Sequence, residues 1–184
     1  MEYSNDRIAE LVRQAVLEIA TEKKCNGDCP SAAKSNEVPI GVSNRHIHLS
    51  KADLETLFGN GYELTPLKDL SQPGQYACKE TLTIVGPSLR PIEKVRVLGP
   101  VRRESQVEIS ATDSYVLKVA PPVRESGNIR GSAPVTIIGP KGIVELSEGC
   151  IIANRHIHMS PEDGRAFGVS DGDTVTVDVN GKRR

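Results

Sequence analysis

Seven residues occur almost unchanged at two places in this chain: Asn44-Arg-His-Ile-His-Leu-Ser50 and Asn154-Arg-His-Ile-His-Met-Ser160 agree at six of seven positions and begin 154 − 44 = 110 residues apart. Duplication of this kind predicts two structurally related halves, each placing the same short run in the same setting. Each copy runs directly into a brief helical stretch, 50–58 and 160–167, that opens on a capping serine; Pro161 occupies a first helical turn, where its missing N–H costs nothing. The halves are unequal in length, because the first copy is followed by many strand-like runs and the second by one, 174–179.

Those runs are β-rich and separated by Gly and Pro, at 38–43, 81–85, 94–98, 106–110, 115–119, 134–138 and 174–179, with only the two helical stretches between them. With two Phe, four Tyr and no Trp, Val, Ile and Leu must fill the interior, which suits short, closely packed strands and offers no base-stacking surface. The fold class expected is therefore mostly β. Asn180-Gly181 is a hairpin-turn signal with only three residues after it, so the chain is expected to stop short of a returning strand or to pair its last strand with something outside it.

Ahead of this β-rich body, residues 5–23 space Ile8, Leu11, Val12, Ala15, Val16, Ile19 and Ala20 by three and four, predicting an amphipathic helix over 1–24. Residues 25–36 have linker composition and carry Cys25 and Cys29, a pair with no matching second pair to complete a metal site. Lys plus Arg (23) against Asp plus Glu (24) gives no surface built to neutralise nucleic acid, and no apolar run has the length to span a bilayer. No secretory signal precedes the four cysteines, which favours a reducing cytoplasm.

All four histidines fall in the repeats, at His46, His48, His156 and His158. In an extended segment, residues i and i+2 share a face, so each His-Ile-His can aim two imidazoles at one point, a donor set suited to zinc. The pairs could serve one metal or two, or could simply bond backbone carbonyls at a barrel rim. Asn44, Arg45, Asn154 and Arg155 offer amide and guanidinium groups to orient ligands or hold an anion, or else hydrogen-bond strand ends. Gln106, Glu108 and Ser110 share one face of a strand; Glu108 could complete a His-His-carboxylate site and Arg102 could grip phosphate, unless both are ordinary surface charges.

Residues 38–50, Gly99-Pro-Val-Arg102, Gln106-Val-Glu-Ile-Ser110 and 154–160, continued by 163–175, resemble the propanediol-utilisation type of phosphate propanoyltransferase, over roughly 38–180. The resemblance implies two small β-barrels, 47–153 and 37–46 plus 154–184, with the first strand crossing to the second barrel and the second barrel incomplete at its C-terminal end. It implies one zinc on His46, His48 and Glu108, a second on His156 and His158 with a further histidine beyond this chain, and Arg102 as the phosphate-binding catalytic residue. The implied activity exchanges propanoyl or acetyl between coenzyme A and phosphate in a homo-oligomer housed in a bacterial microcompartment, with residues 1–24 docking on shell or core proteins. A metal-dependent acyl-CoA hydrolase and a non-catalytic zinc-stabilised scaffold are the rival readings.

Overall fold

The structure, a computed structural model, describes residues 45–70 and 72–177. The expected helix over 1–24, the linker, the strand at 38–43, Asn44 and the turn at Asn180-Gly181 lie outside those residues.

Eight strands and three helices occur among the described residues, in the order β1 (His46–His48), α1 (Lys51–Phe58), β2 (Pro66–Asp69), β3 (Tyr76–Val85), β4 (Pro91–Gly99), β5 (Gln106–Glu108), α2 (Ala111–Leu117), β6 (Val123–Arg124), β7 (Ala133–Ile138), β8 (Ile143–Ala153) and α3 (Pro161–Phe167). β3, β4, β1, β5, β8 and β7 pair in that cyclic order and β7 returns to β3, so six strands close into a barrel. Closure leaves these six without a free edge. β2 extends the β3 side, and β6 lies parallel to the end of β8.

Register carries the core around the ring. Ile47 faces Val97 and Val107, Val107 faces Cys150, Cys150 faces Ala133, Ile137 faces Ile84 and Val144, and Leu82 faces Val95, all of them buried. Because side chains alternate with a period of two, fixing Ile47 and Val107 inward turns their neighbours His46, His48, Gln106 and Glu108 to the other face.

The barrel has an internal symmetry of its own. Ser50 and Asp53 begin α1, and Ser110 and Asp113, 110 − 50 = 60 residues later, begin α2 in the same way, each serine oxygen accepting the aspartate backbone N–H at 3.1 Å. Ser160 and Asp163 repeat the cap once more at α3. Each of the three caps follows a three-residue run with an aliphatic centre, at Ile47, Val107 and Ile157. β1-α1-β3-β4 and β5-α2-β7-β8 thus follow one plan, a first strand parallel to the last strand of an antiparallel hairpin, and the two units interlock; β2 and β6 are where they differ.

That interlock is tight where a helix end meets the opposite hairpin. Gly139 lies so close to Leu57 at the end of α1 that a Cβ would stand 2.6 Å from its carbonyl oxygen, and Gly86 abuts Leu117 at the end of α2 more closely still. The Gly-Pro sequences at both turns are there because only glycine leaves room for the helix.

Two expectations are corrected here. Residues 115–119 are not a strand: Tyr115, Val116 and Leu117 belong to α2, whose Ser110–Asp113 capping box outweighs their β propensity. Residues 174–177 form no strand among the described residues. β1 pairs as one piece with β4 and β5, so His46 sits in the same barrel as His48; of the expected second barrel the structure describes 45–46 and 154–177, which include α3.

Candidate metal centre

In the antiparallel β1–β5 ladder His46 is opposite Glu108 and His48 opposite Gln106, so two imidazoles and a carboxylate project side by side from the outer face. Donor atoms of His46, His48 and Glu108 all lie within 4.8 Å of one another. His46 Nε2 stands 3.3 Å from Glu108 Oε2, and the two imidazole rings meet edge to face with centroids 5.0 Å apart. Both His48 and Glu108 are buried, at 2% and 6% exposure.

Burial is expensive for such groups unless they are paired or ligate a cation. His48 Nδ1 is buried without a hydrogen-bond partner, an orphaned donor or acceptor that a bound cation would satisfy. Burial, reinforced by the charges of Arg102 and His46, lowers the His48 pKa to about 3, so its imidazole is neutral. Burial alone would raise Glu108, but hydrogen bonds from His46 and Ser126 and the nearby imidazoles bring it down to about 2. A neutral imidazole and an ionised carboxylate are the protonation states that metal ligation requires. Two nitrogens and one oxygen leave a tetrahedral ion one open position.

Arg102 reaches the same place from the loop between β4 and β5. Its backbone N–H donates to Leu49 at 2.8 Å, it bridges to Ser50, and its guanidinium donates to Ser126 Oγ at 3.0 Å. Ser105, later in this loop, donates its hydroxyl to Asp53 and accepts the Ser50 backbone N–H at 2.8 Å. The α1 cap therefore fixes the loop that presents Arg102.

The second histidine pair approaches from the segment after β8. His156 Nε2 and His158 Nε2 are 3.0 Å apart, His156 Nδ1 meets the Asn154 carbonyl at 2.7 Å, and His158 Nδ1 meets Gln72 at 2.9 Å. Partial burial and the neighbouring His156 lower the His158 pKa, against an opposing pull from the Glu108 charge. Both rings are exposed, as is Arg155.

Arg45 does something the sequence does not suggest. Its guanidinium forks onto Asp113, Nε to Oδ2 at 3.0 Å and Nη2 to Oδ1 at 2.8 Å, tying the start of β1 to the cap of α2. Sequence reasoning also passes over Ser126, Gln72 and the structural part of Gln106; the Ser-Gly dipeptide at 126–127, a turn signal, is the one clue to the first.

Residues 39–184 match the family described as phosphate propanoyltransferase. A phosphate propanoyltransferase of Lachnoclostridium phytofermentans is 55% identical over 178 residues, covering 97% of this chain and 80% of that protein. One from Thermotoga maritima is 61% identical over 152 residues, covering 82% of this chain and 72% of the relative. One from Rhodobacter capsulatus is 55% identical over 146 residues, covering 79% and 67%. A family match over most of the chain, at such identities, leaves one assignment: the chain belongs to the phosphate propanoyltransferase family.

Proposed function

We propose that this chain moves a short acyl group, propanoyl or acetyl, between coenzyme A and inorganic phosphate, at a zinc ion held by His46, His48 and Glu108. The observation that carries the reading is the orphaned His48 Nδ1 beside His46 and Glu108 in a member of this family. Zinc bound there would supply a Lewis acid for the acyl carbonyl or the departing thiolate.

The chain's own residues do the rest. Arg102 presents a planar fork to phosphate next to the carboxylate and imidazoles. A phosphate oxygen held there attacks the thioester carbon, the C–S bond breaks, and acyl phosphate and coenzyme A thiolate leave. Orientation of two bound reactants supplies much of such a rate without a covalent intermediate on the protein. The state of the cysteines supports direct transfer: Cys78 and Cys150 are fully buried, and burial pushes their thiols up to about 11 and about 12.

His156 and His158, with their nitrogens converging, are the natural holders of a second zinc ion. Asn154 and Arg155 stand beside them as substrate-binding candidates, while Arg45, engaged by Asp113, serves through position. In a microcompartment, residues 1–24 would dock the protein on shell or core partners, and deleting them should abolish co-assembly while leaving soluble activity intact.

The test is thiol release from propanoyl-CoA by zinc-loaded protein, with and without phosphate. Phosphate-dependent release supports the transferase. Release without phosphate means a hydrolase, and no release, with zinc tightly bound, means a scaffold.

A further inference from the structure

Gln106 is an unusual neighbour for a metal ligand, because it is nearly sealed from solvent at 2% exposure and yet every part of its amide is used. Its Nε2 donates to Glu108 Oε1 at 2.6 Å and to Ser126 Oγ at 3.0 Å, and its Oε1 accepts the Gly127 backbone N–H at 2.7 Å. Both amide N–H groups and the carbonyl are thereby satisfied, which fixes the orientation of the side chain. One Glu108 oxygen is held by this amide, and the other, Oε2, is the one directed at His46.

Ser126 belongs to a tight turn built to meet Gln106. Asn128 N donates to the Glu125 carbonyl at 3.0 Å, and Gly127 has φ 93°, the left-handed value that the third residue of a type II turn requires. β6 clamps the preceding residues to β8, so the turn enters from a fixed base. The Ser126 hydroxyl accepts from Gln106 and from Arg102 Nη1, both at 3.0 Å. One acceptor oxygen with two lone pairs has the capacity for both donors.

We infer that Gln106 and Ser126 are positioning residues that join the two halves of the centre: Gln106 holds Glu108 to one-oxygen ligation, and Ser126, shared by Gln106 and Arg102, ties the guanidinium to that carboxylate through the Gln106 amide, so that cation and anion binding are linked. Moving Glu108 to accept a cation pulls on Gln106, and Gln106 shares the Ser126 hydroxyl with Arg102. The inference rests on the metal reading proposed above. It goes beyond that reading in assigning to a turn outside both histidine motifs the setting of both binding events.

The experiment compares the wild-type chain with Gln106→Met, Ser126→Ala and Ser126→Thr. Zinc affinity is read by competition with a chromophoric chelator, and inorganic phosphate affinity by calorimetry on the zinc-loaded and zinc-free forms. Gln106→Met, which keeps the volume and loses the amide, should weaken zinc by roughly 10- to 100-fold, the usual cost of removing a group that orients a ligand. Ser126→Ala should weaken phosphate by about tenfold, the loss of one hydrogen bond to a charged group, and should shrink the gap between the zinc-loaded and zinc-free forms. Ser126→Thr, keeping the hydroxyl, should recover both. Gln106→Met with wild-type zinc affinity overturns the inference. If that variant fails to fold, Ser126→Ala on the exposed turn decides alone, and unchanged phosphate affinity and unchanged linkage there overturn it. A wild-type chain that takes up no zinc fails the metal reading itself, which separates the two outcomes.

Discussion

Replacing Asp113 by alanine should destabilise the barrel by about 1.5 to 2 kcal/mol, and the figure can be built from what the carboxylate touches. Asp113 is 4% exposed, accepts the Ser110 backbone N–H at 3.1 Å, and receives the Arg45 fork. Losing its half of the capping box is worth about 1 kcal/mol. The Arg45 side chain is 37% exposed, so its ion pair is discounted for solvent screening to about 0.5 to 1 kcal/mol. Urea unfolding of the zinc-free protein measures the sum, and Arg45→Ala should cost roughly the ion-pair share alone, about 0.5 to 1 kcal/mol. The pH dependence follows from the carboxyl group. Burial would raise the Asp113 pKa, but Arg45 and Ser110 hold it below its ordinary value. Its stabilising contribution is therefore present above the unfolded carboxyl pKa of about 3.9 and is lost as pH falls through the lower folded value. The gap between wild type and Asp113→Ala should be full at pH 7 and close in strong acid. A loss under 0.5 kcal/mol at pH 7, or a gap that widens on acidification, refutes the reasoning.

Ile47→Ala removes a fully buried side chain at the centre of the β1 ladder and should cost about 2 to 5 kcal/mol in the same unfolding assay, because neighbours on both β4 and β5 lose contact with it. In a Cys25→Ser, Cys29→Ser background, Cys78 and Cys150 should resist a thiol-specific reagent at pH 8 and react only when denaturant is added; rapid labelling of the folded protein would contradict their burial and raised pKa values. Gly139→Ala should lower the thermal midpoint clearly, since a Cβ 2.6 Å from the Leu57 carbonyl oxygen forces the α1 end and the β7–β8 turn apart, whereas Gly61→Ala, with open space around it, pays only for its φ of 71°.

The histidine part of the centre was readable because it needs only a period of two: His46 and His48 share a face in any extended backbone. The strand at 106–110 put Gln106 and Glu108 on one face for the same reason. Nothing in the sequence, however, fixes the register that sets His46 against Glu108, since that follows from closing the ring through β1 and β5. The duplicated heptapeptide drew attention to two copies when the cap occurs three times, at Ser50, Ser110 and Ser160. In the middle copy Gln106-Val-Glu108 replaces His-Ile-His, so identity is lost while the Ser-x-x-Asp spacing persists. Following that spacing would have turned 115–119 from strand to helix. Arg45 and Ser126 were less accessible, because the partners of Arg45 and Arg102 lie 68 and 24 residues away in contacts that exist only once the units interlock.

The crossed latches also govern the order in which the protein can take shape as it leaves the ribosome. β1 finds β4 only after about half the chain has emerged, and β3 has no closing neighbour until β7 at Ala133–Ile138. Asp53 acquires its Ser105 contact, and Gly139 seats the end of α1, later than the elements they secure. A nascent first unit is therefore an open sheet with a bare flank, the kind of species that associates wrongly or recruits chaperones. Because most of its pairings are distant in sequence, the barrel should also fold slowly for its size. His46, His48 and Glu108 come together only when β1 has paired with β5, so the cluster exists only in a chain whose two units have already joined.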